Sequence, residues 1–526
     1  MWLINTDSLE LEAFPTPPPQ YAILSHVWTD EEVSFQDFRD LKRSDDVSVA
    51  VVRRKAGFVK VGQCCRLAKS QGLRYAWVDT CCIDKTSSAE LSESINSMFA
   101  WYQSSTICFV YLADIVSTTS TQGPGGFPSR WYSRGWTLQE LLAPTKVVFY
   151  NHSWTMIGTK WGMRTQISGI TGISQADLVF FDRRRTSIAQ KMSWASRRET
   201  TRTEDTAYCL LGVFGVHMPL IYGEGTNAFR RLQEELIKSS PDQTIFAWTY
   251  DLRLDAQLRP WGILAGSPGH FRHCGNVVTT HSLDSSKPRY GVLRRPQFSI
   301  TNVGLQIELP LIEDTATALQ HCHVRSNRDP PQKAFRTLLR ESDVRAVIAI
   351  LDCVDISGEE KPYLGIMITL DEDGALFHRV HHSYLVKIGS RLRIEGAPLP
   401  LCVSFDNRYL EIGDMIHLPF LGWGGGTYTT SIFVNDWLSV NNPRVLPSMD
   451  TSGPTIFLAD DGVGLFLGPG TVGLLDLTLH GEVCTVIFGV TVTLKVCCAI
   501  VASAVGNYDH ITTNYLAKHG QARKIV

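Results

Sequence analysis

LSESINSMFAWYQSSTICFVYL, residues Leu91–Leu112, joins a helix directly to a strand. Leu91, Ile95, Met98, Phe99 and Tyr102 fall on one face at helical spacing, while the last six residues, ICFVYL, form an unbroken apolar run of the kind buried on both sides of a sheet. Upstream, Ser87 and Glu90 make an S-x-x-E capping box that starts the helix. RYAWVD (Arg74–Asp79) then reads as a strand, and Arg54–Lys69 as a helix carrying Phe58, Val61, Cys65 and Ala68 on one side. YAILS (Tyr21–Ser25) is a further strand, preceded by the boundary PTPPPQ and a short strand-like opening at Met1–Ile4. Downstream lies a Ser/Thr/Gly/Pro-rich loop, Ser117–Ser129. A short helix, Trp136–Leu142, stops before Pro144, and a fourth strand covers Lys146–Tyr150. Strands alternating with helices imply right-handed crossovers and an open parallel α/β sheet.

Beyond residue 158 the pattern turns helical, most clearly at Thr206–Phe214 and Asn227–Lys238. From Trp248 onward, short apolar runs such as PQFSITNVGLQIELPL and RAVIAILDC alternate with turn residues, which predicts a β-rich sandwich or barrel. The chain is therefore expected to divide into an α/β domain (residues 1–157), a helical extension (158–247) and a β-rich carboxyl-terminal domain (248–526).

The 50 basic and 52 acidic residues nearly cancel, so charge offers no case for nucleic acid or an anionic membrane. The basic stretch Arg183–Arg202 is interrupted by acidic residues and serines and reads as a solvated helix face. The 13 cysteines contain no C-x-x-C, and most sit in apolar runs as small hydrophobes, which implies a reducing, cytoplasmic setting. MWLINTDSLELEAF lacks the pattern of a secretory signal. Val483–Ala504 is apolar, but Lys495 would cost about 2.5–3.5 kcal/mol in a bilayer. Its Val, Thr and Ile favour strands.

Three of these segments carry a resemblance. YAILSHVW (Tyr21–Trp28), GLRYAWVDTCCIDK (Gly72–Lys85) and SRGWTLQELLAP (Ser133–Pro144) resemble the signatures of the fungal heterokaryon-incompatibility (HET) domain. RRETTRTEDTAYCLLGVFGVHMPLIYGEG and AFRRLQEELIKSSPDQTIFAW resemble the segment that often follows it, so the likeness covers roughly Tyr21–Trp248. Thr29 stands where the family usually has Gly. The resemblance implies an effector of vegetative incompatibility and programmed cell death that works through self-association or another incompatibility protein. More distantly, YAILS followed by an acidic loop, together with WTLQEL (Trp136–Leu141), is similar to TIR domains, which have a flavodoxin-like sheet. Some TIR domains hydrolyse NAD with a helix glutamate and others are assembly scaffolds. By that likeness Glu140 is the candidate catalytic residue and NAD the candidate substrate, with no bound cofactor or metal implied.

In open parallel sheets, ligands bind outside the carboxyl ends of the strands. Ser25 and His26, Asp79, and the helix bearing Glu140 are all expected there, with Trp28 or Trp136 available to stack on a flat ring. A carboxylate stabilises the oxocarbenium-like state formed as nicotinamide leaves. The alternative for Glu140 is a helix-start carboxylate paired with Arg134. Asp79 ends a strand, Asp84 reads as a turn cap, and His26 serves either as a base or as a hydrogen-bonded support for its loop. Cys81 lacks a partner histidine nearby. YGEG (Tyr222–Gly225) lacks the residues of a phosphate loop and reads as a turn before the next helix.

Overall fold

The computed structural model describes residues 1–15, 20–41, 46–116, 129–250, 262–280, 298–313, 315–325, 346–370, 376–380, 385–389, 392 and 399–403. Beyond these it describes the backbone of strands between 429 and 502. The loop expected at Ser117–Ser129 lies outside the described residues but for Ser129, as does most of PTPPPQ. There are two compact units, Met1–Leu410 and Glu411–Val526.

The first unit opens with β1 (Trp2–Asn5), β2 (Leu11–Ala13) and β3 (Ala22–His26), followed by α1 (Phe35–Asp40), α2 (Asp46–Arg54) and α3 (Ala56–Ser70). Next come β4 (Tyr75–Trp77), α4 (Ser88–Ser104), β5 (Ile107–Tyr111), α5 (Thr137–Leu142), β6 (Val147–Tyr150) and β7 (Met156–Thr159). Ser87 caps α4 by accepting from the Glu90 N–H, but the Glu90 carboxylate turns to the Asp84 N–H at 3.0 Å, so the box is only half made.

The sheet order is β2-β1-β4-β3-β5-β6-β7. The four expected strands β4, β3, β5 and β6 are parallel, as read from the sequence. The sheet as a whole is mixed, which corrects the expectation of a purely parallel one. A hairpin, β1–β2, pairs antiparallel with β4, and β7 returns antiparallel along β6. These additions are three or four residues long, too short for alternation to announce them. β7 crosses residue 157, where the first division was expected. β3 is buried at every residue, and β5 at its three central ones. Trp77, fully buried on β4, meets Trp101 and Tyr102 of α4 edge-on at 5.7 and 5.8 Å.

The helical stretch comprises α6 (Arg164–Thr171), α7 (Gln175–Val179), α8 (Ile188–Ala195), α9 (Asp205–Tyr208), α10 (Leu211–Phe214) and α11 (Asn227–Ser239). The single helix expected over Thr206–Phe214 is two short ones, broken at Cys209–Leu210. The basic stretch is not simply a solvated face: Lys191 is buried, Arg183 donates to the Gly212 carbonyl and lies over the Phe99 ring, and the end of the Arg198 guanidinium is inside. The YGEG turn cradles a carboxylate of this same chain, since the N–H groups of Gly223 and Gly225 both donate to Glu204 at 2.8 and 3.1 Å.

A 10-stranded, mostly antiparallel sheet completes this unit, with Ala346–Asp355 and Tyr363–Leu370 as its longest strands. Arg379 joins it to the preceding chain, donating to the Phe246 and Trp248 carbonyls at 3.1 and 2.6 Å. In the second unit, the apolar segment near Val483 pairs as two antiparallel strands, Glu482–Val490 and Val496–Ala502. Among the described residues no helix is long and apolar enough to cross a membrane.

Candidate functional site

Among the four parallel strands the order reverses between β3 and β5, the position where an open sheet leaves a crevice at its carboxyl edge. β3 delivers Ser25 and His26 to that edge, β4 is followed by Asp79, and α5 brings Glu140. Ser25 and Glu140, 115 residues apart in sequence, meet there: the Ser25 hydroxyl donates to Glu140 Oε2. Trp131 Nε1 in turn donates to Ser25 Oγ at 2.8 Å, so indole, hydroxyl and carboxyl form a line. Ser25 and Trp131 are fully buried and Glu140 is 6% exposed. Burial, then the negative charge of Asp79, pushes the Glu140 carboxyl up to about 8, against the lowering pull of Ser25, Tyr102 and Arg198. The alternative pairing with Arg134 is not made; that side chain donates to Thr201.

Asp79 links this line to a second group nearer the surface. Its Oδ2 accepts from Trp28 Nε1 at 2.7 Å, and its Oδ1 lies 3.9 Å from His26 Nδ1 with no hydrogen bond among the described residues. The His26 ring sits between two carboxylates, with Glu32 Oε2 3.6 Å from Nε2, and neither ring nitrogen has a hydrogen-bond partner among the described residues. Burial raises the Glu32 carboxyl, but the adjacent His26 ring and the Lys60 ammonium, which donates to Glu32 Oε1, outweigh it and hold it down at about 2. Trp28 is 51% exposed, with the Lys85 ammonium 3.7 Å from the centroid of its ring. The Thr29 N–H and hydroxyl both bind Glu32, and the residue does not need a left-handed backbone, so Thr is accommodated where the family usually has Gly.

The edge therefore gathers Ser25, His26, Trp28, Asp79 and Glu140. Trp136 points elsewhere, its Nε1 reaching Asp205 at 3.4 Å. Asp84 caps a turn as expected, accepting from the Thr86 N–H and hydroxyl. Cys81 is wholly buried, and burial raises its thiol well above the ordinary range. Tyr102, Glu32, Lys60 and Trp131 escaped the sequence reading. Tyr102 was legible only as part of a core-facing helix stripe, and Trp131 stands in a stretch without periodicity. Glu32 lay in view in the acidic loop that follows YAILS, as the last residue of Asp30–Glu32.

One glycine holds the acidic loop in place. Gly57, in the first turn of α3, donates to the Glu31 carbonyl at 2.9 Å. A Cβ there would lie 2.6 Å from Glu31 O and 2.8 Å from Glu32 Cα, both backbone atoms. Gly57→Ala is expected to cost about 1–3 kcal/mol by overpacking and to pull Glu32 away from His26. Denaturant titration checks the first effect, and loss of the Glu32-dependent part of acid stability checks the second.

A family model described as "Heterokaryon incompatibility protein (HET)" matches residues 21–124, and one described as "Domain of unknown function (DUF8212)" matches residues 227–390. The vegetative incompatibility protein HET-E-1 of Podospora anserina is 42% identical over 231 residues, which is 42% of this chain and 16% of that protein. The chain thus spans a small part of that relative's length. No solved structure matches.

Proposed function

We propose, on the match of residues 21–124 to the HET family model, that the chain acts in fungal vegetative incompatibility and that its amino-terminal sheet hydrolyses NAD at Glu140. The observation that carries the catalytic reading is the convergence of Ser25, Asp79 and Glu140 at one carboxyl edge. The order of the four parallel strands, second-first-third-fourth, is one that doubly wound sheets share, and it supports a TIR-like reading. Nicotinamide in NAD is a cationic ring; entering beside Asp79 and Glu140, it favours the ionised form of Glu140 that burial opposes. The glycosidic C–N bond breaks with its electron pair going to nicotinamide, which leaves neutral. The carboxylate of Glu140 stabilises the ribosyl oxocarbenium. Water adds to the anomeric carbon and its proton passes to Asp79, whose Oδ1 has no hydrogen bond among the described residues. Activity is gated by self-association or by another incompatibility protein, and the chain beyond residue 158 restrains or senses.

The test is nicotinamide release from NAD by the full chain under crowding. Asp79→Asn is expected to slow it by about 100-fold or more, the scale of a general-base contribution, and Ser25→Ala is expected to slow it less. A second reading has its own observation: Glu140, 6% exposed and held by Ser25, serves structure in an assembly module. A full chain that self-associates and signals death while releasing no nicotinamide decides for that reading.

A further inference from the structure

Helix α5, which carries Glu140, is six residues long. A helix of that length does not hold its shape alone in water, so whatever fixes its two ends also fixes the carboxyl.

Both ends are held by cations from further along the chain, Lys160 and Arg198. At the amino-terminal end Arg198 Nη1 donates to the Arg134 carbonyl and to Thr137 Oγ1, each at 2.9 Å, and its Nε donates to the Trp194 carbonyl at 3.2 Å. The backbone reinforces this contact: the Gly135 N–H donates to the Glu199 carbonyl at 2.8 Å, and the Glu199 N–H donates to the Ser133 carbonyl at 2.6 Å. At the other end Lys160 is 4% exposed, and its Nζ donates to the Leu141 and Pro144 carbonyls at 3.0 and 2.6 Å. Carbonyls at a helix end have no partner within the helix, and a buried ammonium there satisfies them while complementing the helix dipole.

We propose that Arg198 and Lys160 are positioning residues that clamp α5 at its two ends and hold Glu140 against Ser25, so that the working unit extends through residue 198. The catalytic part of this inference rests on the reading of Glu140 given above; the mechanical part does not. Neither cation touches a reacting atom. Arg198 is additionally close enough to favour the charged form of Glu140. The groups facing Glu140 are Ser25 of β3, Asp79 after β4, Tyr102 of α4, Cys108 of β5 and Arg198. Of these, Arg198 alone is cationic. Lys160 faces Cys108 rather than Glu140. The two ends are thus expected to differ in their electrostatic effect and agree in their mechanical one.

The experiment uses the full chain with Arg198→Met, Arg198→Lys and Lys160→Met, and with Lys238→Met, an exposed position near the end of α11, as a control. Two readouts are taken. The first is kcat and KM for nicotinamide release from NAD. The second, which needs no activity, is the pH window over which Glu140 ionisation changes thermal stability, obtained as the difference between each variant and the same variant carrying Glu140→Gln. Arg198→Met is expected to lower kcat by about tenfold or more, the cost of losing charge-assisted hydrogen bonds that orient a catalytic group. KM should stay within a few-fold, and the window should move to higher pH. Arg198→Lys should recover most of both, and it covers the case in which the Met variant does not fold. Lys160→Met should lower kcat comparably while moving the window less. If the wild type releases no nicotinamide, the reading of Glu140 as catalytic fails, and the window alone then decides the clamp. Variants at 198 and 160 that match the Lys238→Met control in both readouts overturn it.

Discussion

Glu140→Gln is expected to make the protein more stable than the wild type at about pH 8, with the advantage vanishing toward about pH 4. Burial, followed by Asp79, lifts this carboxyl in the folded chain from its ordinary 4.5 to about 8. A raised acid is protonated when folded and ionised when unfolded across that interval, so unfolding releases a proton. The contribution of Glu140 to stability is therefore fully present below about 4.5 and declines as pH rises through about 8. Glutamine occupies the same space without a proton to lose. The difference should grow to a few kcal/mol at the upper end of the window, an upper bound set by the span between the two values. Denaturant melts of both proteins at several pH values measure it. Curves that stay parallel from pH 4 to 8 would mean that Glu140 ionises in the fold as freely as in the unfolded chain. Adding Asp79→Asn should narrow the window from above, because it removes the second cause of the shift.

Trp131→Ala should be the most damaging single change in the amino-terminal sheet region. The indole is fully buried, lies edge-on to Tyr132 and Phe149 at 5.1 and 5.8 Å, and supplies the N–H that Ser25 accepts. Removing it leaves a large cavity and an under-satisfied hydroxyl, an expected loss of about 3–5 kcal/mol. Trp131→Phe keeps most of the volume and deletes the donor, and should cost about 1–2 kcal/mol. A shift in the denaturation midpoint ordered Ala, then Phe, then wild type separates packing from the hydrogen bond. Equal losses for both would place the whole effect in the donor.

The parallel core was legible because each of its strands is a short apolar run bounded by turn residues, with helical periodicity between them. ICFVYL and the stripe through Ile95, Phe99 and Tyr102 illustrate both signals, and their structural counterparts are β5 and α4. The mixed edges were not legible: Trp2–Asn5, Leu11–Ala13 and Met156–Thr159 are too short for a period, and their pairing depends on partners far away in sequence. Of the site, Ser25, His26, Asp79 and Glu140 followed from strand ends and from motif likeness. Trp131 and Lys60 did not, because their roles arise from contacts across 106 and 28 residues with no local pattern. Arg198 misled for a related reason. In sequence it belongs to a basic run, and only the fold shows that its guanidinium end turns inward onto the start of α5.

The most direct test of the central claim is kcat/KM for nicotinamide release from NAD by the self-associated full chain, followed across pH beside Glu140→Gln at matched folded fraction and oligomeric state. The account predicts that the wild-type value rises with pH until the free carboxyl is ionised at about 8, and that the Gln variant is reduced by at least about 100-fold at every pH, the scale of a lost electrostatic stabiliser. Equal, pH-independent release by the two proteins, or none from either while both still associate, would contradict it.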